Sequence, residues 1–328
     1  MSPSPVPDRP RLPAWLRPYV RRPGEVQFGL RPGAPVVDGV TPQEAALLAG
    51  LDGSLTREQT YAVAVDAGVS RRRWRDVLLL AASLGVLVDA AAGISTGPRG
   101  RHVVDDQPTA PSAPPTSAPA RRRVLVDGDA SLAADVAAAL RDAGSALVVS
   151  ERTDVDVAVA DPGRDAPALV VLVGAPLVDP RRGDVWLRHG VPHLPVSGAG
   201  PSATVGPLVT GDGSGPCLWC LERHRTDRDD AWPTVLTQAM RHDDPAPAGV
   251  RVTGTSPWRE PLAPGLSQLV AGAVTLLTGR VLRGDALPGG VSVEVGLPWP
   301  RMDHRRWTPH PLCTAHPDGA ADSGRRSA

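Results

Sequence analysis

Three cysteines and one histidine form the most distinctive chemical pattern in this chain of 328 residues. Cys217 and Cys220 form a C-x-x-C pair, and Cys313 and His316 form a C-x-x-H pair much later in the sequence. A C-x-x-C hairpin offers two thiolates to one tetrahedral ion, and the second pair completes a Cys3His set of zinc ligands. We therefore predict a structural Zn²⁺ site that fixes the C-terminal part of the chain to its middle.

The same cysteines also allow two other interpretations. A nucleophilic thiolate needs a nearby histidine or positive charge and open access, and His224 follows Cys220 by one turn with Arg223 and Arg225 beside it. A redox C-x-x-C pair usually begins a helix after a strand in a thioredoxin pattern, which the sequence does not show. A catalytic thiol and free or disulfide-bonded cysteines stay open, but the pattern favours zinc.

The composition restricts the classes of partner and of chemistry. Arginine plus lysine equals aspartate plus glutamate at 35 each, so no net field attracts nucleic acid or membrane. The sequence contains no lysine and no asparagine, which excludes Schiff-base and P-loop lysine chemistry. The first residues are Pro-rich and polar, and no apolar run is long enough to span a bilayer. We expect a soluble cytoplasmic protein with no nucleic-acid or membrane partner.

Composition and turn signals divide the chain into two folded parts. A stretch rich in Pro, Ser, Thr and Ala cannot build a core and is predicted to be a linker. The predicted division is a disordered N-terminus (1–13), a winged-helix-like module (14–95), the linker (96–121), an α/β domain with the zinc clamp (122–318) and a disordered tail (319–328).

The N-terminal module is predicted to contain three short strands followed by three helices. The strands are Tyr19–Arg22, Glu25–Leu30 and Ala34–Asp38, separated by Pro-Gly turns. Thr41 with Glu44, and Thr56 with Gln59, are capping boxes that begin the first two helices, and Ser70 caps the third. Trp74 begins the apolar stripe of the third helix and is predicted to lie in the core.

The C-terminal part is predicted to be α/β with a Rossmann-like sheet that becomes mixed. Short apolar strands alternate with a helix at Ser131–Ala143, a pattern typical of a parallel sheet. A late strand at Val291–Val295 makes the sheet mixed. The predicted strands of the first half are Val124–Val126, Ala146–Val149, Val155–Ala160 and Ala168–Val173.

Several segments resemble a known family. Pro192–Gly198, Val205–Cys220, Leu221–Pro233 and the terminal PHPLCTAH are similar to ThiF/E1-like proteins of azole-peptide biosynthesis, the TOMM precursor leader peptide-binding proteins or cyclodehydratase partners. The resemblance covers roughly Ala14 to Asp318. Val36–Gly53 resembles the family's peptide-recognition element. Because the family has a second cysteine soon after the first, we propose His316 as its substitute here.

The resemblance implies a fold, partners and a task. Members of the family combine a winged-helix peptide-recognition element with an E1-like α/β domain and a structural zinc. They present a precursor leader peptide to a YcaO-type cyclodehydratase, which uses ATP itself and forms azolines from Cys, Ser or Thr. E1-like domains often pair, so a homodimer is also expected from the resemblance.

The nucleotide-binding residues of an active E1-like enzyme are largely missing. The turn after the first strand reads Asp127-Gly128-Asp129, where an active enzyme needs a glycine-rich loop for phosphates. The strand Ala168–Val173 is followed by Gly174 instead of a magnesium-binding aspartate, and Ser150–Asp154 is short for a nucleotide loop. We therefore predict no catalytic residue and no ATP cofactor. The alternative is an active adenylating enzyme with a divergent site.

Peptide capture by the module predicts contacts on one strand and one helix. Strand addition would use Val36 and Val37 on the edge Ala34–Asp38, and carboxylates would pair with Arg71, Arg72 and Arg75. The alternative is that these arginines only solvate the helix. A DNA-binding regulator is a further alternative, but Ala14–Gly93 has nine arginines against eight acidic residues, whereas DNA binders concentrate positive charge.

The histidines outside the zinc pattern and the acidic run after the cysteine knuckle give weaker signals. His193 lies in an apolar strand and is predicted to be a hydrogen-bonded core residue. His304 and His310 are predicted to be surface or structural residues. Asp227–Asp230 are interpreted as a solvated helix end, with a docking role as the alternative.

Overall fold

A computed structural model of the chain describes residues 6–31, 33–90, 122–128, 131–144, 147–150, 166–240, 261–263, 265–285 and 287–316. The predicted linker (96–121), the predicted strand Val155–Ala160, the loop residue Asp129 and the predicted tail (319–328) lie outside these residues.

Twelve strands and eight α-helices lie in the described parts of the chain. The strands are β1 (Pro10–Arg11), β2 (Pro18–Arg22), β3 (Glu25–Phe28), β4 (Val36–Asp38), β5 (Val88–Asp89), β6 (Arg122–Asp127), β7 (Leu147–Ser150), β8 (Leu169–Gly174), β9 (His193–Ala199), β10 (Ser202–Val205), β11 (Val291–Gly296) and β12 (Arg301–Arg306). The helices are α1 (Pro42–Ala49), α2 (Arg57–Asp66), α3 (Arg71–Ser83), α4 (Ser131–Asp142), α5 (Arg181–Arg188), α6 (Leu218–Arg228), α7 (Trp232–Met240) and α8 (Leu266–Arg283).

The N-terminal part combines an antiparallel sheet in the order β2-β3-β4 with helices α1 to α3. Both predicted capping boxes are present, because the Thr41 and Thr56 hydroxyls accept from the backbone three residues on, while Glu44 and Gln59 bond back. The Ser70 hydroxyl caps α3 by accepting a hydrogen bond from the Arg73 amide. Trp74 is buried and donates to the Thr60 hydroxyl at 3.3 Å, as predicted for a core residue.

The start of this part differs from the prediction that residues 1–13 are disordered. Strand β1 pairs with β5, Val6 is buried in the module core, and the Arg57 amide donates to the Asp8 carbonyl at 2.7 Å. These backbone and apolar contacts bring residues 6–13 into the folded module. The composition did not predict this, because the partners of this segment lie far along the sequence.

The C-terminal part contains a seven-stranded mixed sheet in the order β12-β11-β10-β9-β8-β6-β7. Strands β7, β6, β8 and β9 run parallel, and β10, β11 and β12 are antiparallel to their neighbours. Helices α4 and α8 cover one face of the sheet, and α5 with the start of α6 covers the other. The predicted α/β class and mixed sheet are confirmed. Strand β12 was missed.

The two parts meet where β2 lies against α7. The Gln238 side-chain amide accepts from the Val20 amide at 3.0 Å and donates to the Val20 carbonyl at 2.7 Å. Arg21 forms a bidentate pair with Asp229, with both bonds at 2.7 Å. A small apolar core lies beneath these contacts and includes Tyr19 and Trp232. The N-terminal sheet is thus attached to the large domain through the outer edge of β2.

No helix in the described ranges is long and apolar enough to cross a membrane.

His193 is a buried core histidine, as predicted. Its ring is 1% exposed, and Nδ1 lies 3.2 Å from the Val191 carbonyl, so the neutral ring donates this hydrogen bond. Burial lowers the pKa of His193 from 6.5 to about 4, an effect that the bond to Val191 partly offsets. Because the unfolded chain binds the proton more tightly, folding stability from this group is present above pH 6.5 and lost as the pH falls towards 4.

We expect His193→Gln to flatten the acid dependence of stability. From pH 7 to pH 4, the free energy of unfolding of the wild type should fall by about 3 kcal/mol more than that of the variant, the linkage value for such a pKa difference. Urea unfolding at both pH values, with zinc present, measures this difference. The exposed His304→Gln variant should keep the wild-type dependence, and equal slopes for His193→Gln would contradict this assignment.

Candidate functional site

The first turn of α6 and the C-terminal segment bring the predicted ligands Cys217, Cys220, Cys313 and His316 together. Their ligand atoms all lie within 4.8 Å of one another. The Cys217 sulfur lies 3.7 Å from that of Cys220 and 3.6 Å from that of Cys313. The Cys220 sulfur lies 3.0 Å from Nε2 of His316.

This arrangement fits a tetrahedral zinc ion. With Zn–S bonds of about 2.3 Å, two sulfurs on a tetrahedron lie about 3.8 Å apart, close to both sulfur separations here. Three thiols and one imidazole are also a donor set typical of structural zinc. With four protein ligands, such an ion would have no open position for a substrate, so its role would be to join α6 to the C-terminal segment.

The protonation of the thiols follows from their contacts with one another. A hydrogen bond from Cys217 to Cys220 lowers the pKa of the Cys220 thiol, and the His310 amide contributes to the same effect. The same bond and burial raise the pKa of Cys217. Zinc would bind all three cysteines as thiolates, because the thiolate is the form that ligates a metal.

Burial of two of the three thiols disfavours a catalytic cysteine, and the partly buried Cys313 contacts the Cys217 sulfur. The residues Cys217 and Cys220 are 2% and 0% exposed, so a substrate would not reach their sulfurs. His224 is directed at the Thr308 carbonyl (2.9 Å) rather than at a thiol. Cys217 lies at the N-cap of α6, but the preceding strand β10 ends at Val205, so the thioredoxin pattern of a strand that leads directly into the helix is not seen.

A set of hydrogen bonds holds the ligands in place. The Nδ1–H of His316 donates to the Gly213 carbonyl at 3.1 Å, which leaves Nε2 free to face a metal. The backbone amide of His310 donates to the Cys220 sulfur at 3.2 Å. The ring of His310 is buried and lies 2.8 Å from the Asp227 carboxylate. His310 is therefore structural, as predicted. Asp227 was interpreted as part of a solvated helix end, but its carboxylate also bonds this ring.

A second feature lies at the carboxyl ends of β6 and β8, where open α/β sheets bind ligands. The guanidinium of Arg182 on α5 donates to the Val173 carbonyl at 2.7 Å and to the Asp127 carbonyl at 2.5 Å. It also pairs with the Asp127 carboxylate at 3.0 Å. At Gly128, any side chain would collide with Val173, at 2.8 Å from its Cβ. An arginine of the chain itself thus occupies the crevice between these strand ends.

The predicted peptide-contact residues have different surroundings. Val36 is 45% exposed on β4. The side chain of Val37 packs into the module core and its backbone faces Val26 on β3, so Val37 offers no group to the open edge of β4. Arg71 bonds Glu58 and covers the Tyr61 ring at 4.7 Å, on the side of α2. Arg75 lies 3.7 Å from its neighbour Asp76. No ion pair joins Arg72 to another described residue, and its side chain is exposed.

Sequence reasoning missed three residues that shape these surfaces. Arg73 pairs with the buried Glu44 at 2.7 Å and also bonds the Gly39 carbonyl just after β4. Arg182 and Gln238 act through backbone partners that no local pattern indicates. For Arg73 a signal existed, because Glu44 was already assigned to a capping box and a buried carboxylate needs a cation.

Neither a protein-family model nor a curated protein sequence matches this chain. Among solved structures, the heterocyclase TruD is 18% identical, with 95% of this chain and 43% of that chain covered and a TM-score of 0.40. E. coli MccB with succinimide is 9% identical, with 94% and 99% covered and a TM-score of 0.37. The E. coli microcin synthetase McbBCD complex is 13% identical, with 90% and 97% covered and a TM-score of 0.35.

This chain spans less than half the length of the TruD chain and of a second heterocyclase, which is in complex with substrate and cofactor.

We expect purified protein to carry one zinc ion per chain, and Cys217→Ser or Cys313→Ser to lose it. Metal content by mass spectrometry measures the ion, and thiol titration should find three reactive cysteines only after chelation. Because zinc in such a site contributes on the order of 10 kcal/mol, both variants should unfold at far lower temperature. The exposed His304→Ala variant should retain zinc, and full zinc in the cysteine variants would exclude this ligand set.

Proposed function

We propose that this protein is a non-catalytic partner of a peptide-modifying enzyme. In this proposal the N-terminal part (14–95) is a winged-helix-type module that binds a precursor leader peptide as an added strand on β4. The C-terminal part (122–318) is an E1-like domain that has lost adenylation and docks the modifying enzyme. The Cys3His zinc would be structural.

The main support for this proposal is that the two edges of the N-terminal sheet differ in their backbone hydrogen bonding. The β2 edge is closed, because the Gln238 amide takes the backbone bonds of Val20. Strand β4 is the other edge. The Phe28 amide bonds the Pro35 carbonyl at 2.9 Å, so the alternation of an antiparallel ladder directs the N–H and C=O groups of Val36 and Asp38 outward. An extended peptide fits such an edge.

Helix α3 supplies the second side of the proposed peptide groove. Arg73 ties the first turn of α3 to Gly39 at the end of β4, so the two elements lie together. The exposed Arg72 and Arg75 on this helix favour a peptide that carries carboxylates. Arg71 is engaged with Glu58, which makes it the weakest of the three proposed contacts.

The crevice at the strand ends supports the non-catalytic part of the proposal. Phosphates would have to displace the Arg182 guanidinium and leave the Asp127 carboxylate without its partner. The chain also contains no lysine that could bind the phosphates of a nucleotide in place of this arginine. An active adenylating enzyme with a divergent site is the alternative, and a DNA-binding regulator is a weaker one, given the near-neutral module.

The identity of the partner rests on the sequence resemblance. It implies a YcaO-type cyclodehydratase that forms azolines in a ribosomal peptide, and it also implies pairing of two copies of this chain. Both stay predictions from the resemblance.

We expect no binding of Mg-ATP to the full chain. Calorimetric titration into folded, zinc-loaded protein should give no heat beyond dilution, because Arg182 and Asp127 bond each other where phosphates would lie. Binding in the micromolar range would overturn the non-catalytic assignment and favour the adenylating alternative.

We expect a peptide to be captured through the outward groups of β4. A displayed library of random 18-residue peptides is panned on the full chain, and an enriched peptide is synthesised with a fluorescein label. Asp38→Pro removes one outward N–H and should weaken binding at least tenfold in fluorescence anisotropy. Asp38→Ala is the matched control, since it removes the same side chain but keeps the N–H, and it should bind more tightly than the proline variant.

Circular dichroism must show that both Asp38 variants are folded. Equal affinities of Asp38→Pro and Asp38→Ala would rule out strand addition on β4, and so would a library that yields no peptide above an unrelated control protein. Duplex DNA binding that falls steeply with salt would instead support the regulator alternative.

A further inference from the structure

A cleft of about 1130 Å³ lies between the N-terminal module and the large domain. The module contributes the turn between β3 and β4 together with Val36, and the domain contributes α6, the turn between β11 and β12, and β12 itself. Trp15 packs against Gly200 at the join between the two walls, where any Cβ would come within 2.3 Å of the indole. The cleft therefore has walls from both parts of the chain.

The lining of the cleft is positively charged. It includes six arginines but only three acidic residues. Arg21, Arg225, Arg301 and Arg305 each pair with a carboxylate. In the part of the chain that the structure describes, Arg31 and Arg228 have no such partner, and they stack over Trp15 and Trp307 at 5.5 Å each. Two guanidinium groups are thus available to carboxylates of a ligand.

The lining also includes large apolar side chains that are exposed to solvent. Trp299, at the tip of the turn between β11 and β12, is 84% exposed, and Met302 on β12 is 50% exposed. Together with Val36 they give the cleft three large exposed apolar side chains. Such residues grouped in one concave surface mark a binding site more often than isolated ones do.

The cleft continues the open edge of β4. Val36 belongs to that edge and also lines the cleft, so a peptide paired with β4 reaches the cleft at its Val36 end. Strand β4 has only three residues, which is about 10 Å of extended chain. A contact this short gives little sequence selectivity by itself, and the adjoining cleft can supply more.

We propose that this cleft binds the segment of the peptide that directly adjoins the part paired with β4, and that it selects an acidic segment with an apolar side chain. The carboxylates bind Arg31 and Arg228, and the apolar side chain covers Trp299. This inference rests on the proposed function and extends it, because it assigns the charge and the second contact site of the peptide.

The test uses the fluorescein-labelled peptide enriched by panning on the full, zinc-loaded chain. We expect enriched peptides to be rich in Asp and Glu. The double variant Arg31→Ala/Arg228→Ala should weaken binding at least tenfold, whereas Arg188→Ala/Arg223→Ala, which removes two exposed arginines outside the cleft, should not. A peptide with its Glu and Asp changed to Gln and Asn should bind the wild type and the cleft variant equally weakly.

Two further measurements separate charge from structure. The affinity of the wild type should fall with added salt, and that of Arg31→Ala/Arg228→Ala should fall much less. Trp299→Ala should weaken binding at least fivefold, while Leu276→Ala, which removes another highly exposed apolar side chain away from the cleft, should leave it unchanged.

The outcomes distinguish this inference from the function on which it rests. If Asp38→Pro weakens binding and the cleft variants do not, strand addition stands and the cleft inference is wrong. If the cleft variants weaken binding and Asp38→Pro equals Asp38→Ala, the cleft is the site and strand addition is wrong. Dimerisation in sedimentation that Trp299→Ala abolishes would assign the cleft to a second copy and overturn the inference.

Discussion

The attachment of β2 to α7 is the contact on which the surfaces of this protein depend. The Gln238 amide bonds both backbone groups of Val20, and Arg21 grips Asp229 with two parallel hydrogen bonds. Arg–carboxylate pairs of this kind fix orientation as well as distance. The fixed orientation sets the module against the sheet of the large domain. Without it, the cleft would have one wall and both edges of the small sheet would be open.

Helix α6 links this attachment to the candidate metal centre. The helix begins at the cysteine pair, and Asp229, the partner of Arg21, follows its last residue. The C-terminal segment contacts the same helix through His310, which bonds Cys220 and Asp227. An ion bound by the four ligands would therefore fix the position of α6 at one end, and Arg21 fixes it at the other. A structural metal of this kind influences a surface that it does not touch.

The sequence predicted the local elements well because their signals are local. Thr41 and Thr56 each have a capping partner three residues later, and both caps are present. The grouping of the four candidate ligands was also predictable, since the spacing of Cys217 and Cys220 suits one ion and the chain has few cysteines. Both signals arise from residues that are neighbours in sequence and need no knowledge of the tertiary structure.

The features that the sequence did not reveal depend on contacts between residues that are far apart in the chain. Gln238 lies 218 positions from Val20, and an amide on a helix gives no sign that it bonds a strand. Arg182 belongs to the polar side of a short helix, where arginine is usual. Strand β12 has charged residues on both faces because it is an edge strand with little burial, so no alternation of apolar residues marks it.

The Gln238 side-chain amide, which bonds the outer edge of β2, also limits assembly. A small sheet with two open edges is a template on both sides, so copies or extended peptides can add in succession and build a growing stack. Gln238 takes the place of a neighbouring strand without being one, and it offers no further backbone row for the next addition. Gln238 therefore prevents the addition of further strands beyond β2. The module can therefore keep one edge open without forming filaments through the other.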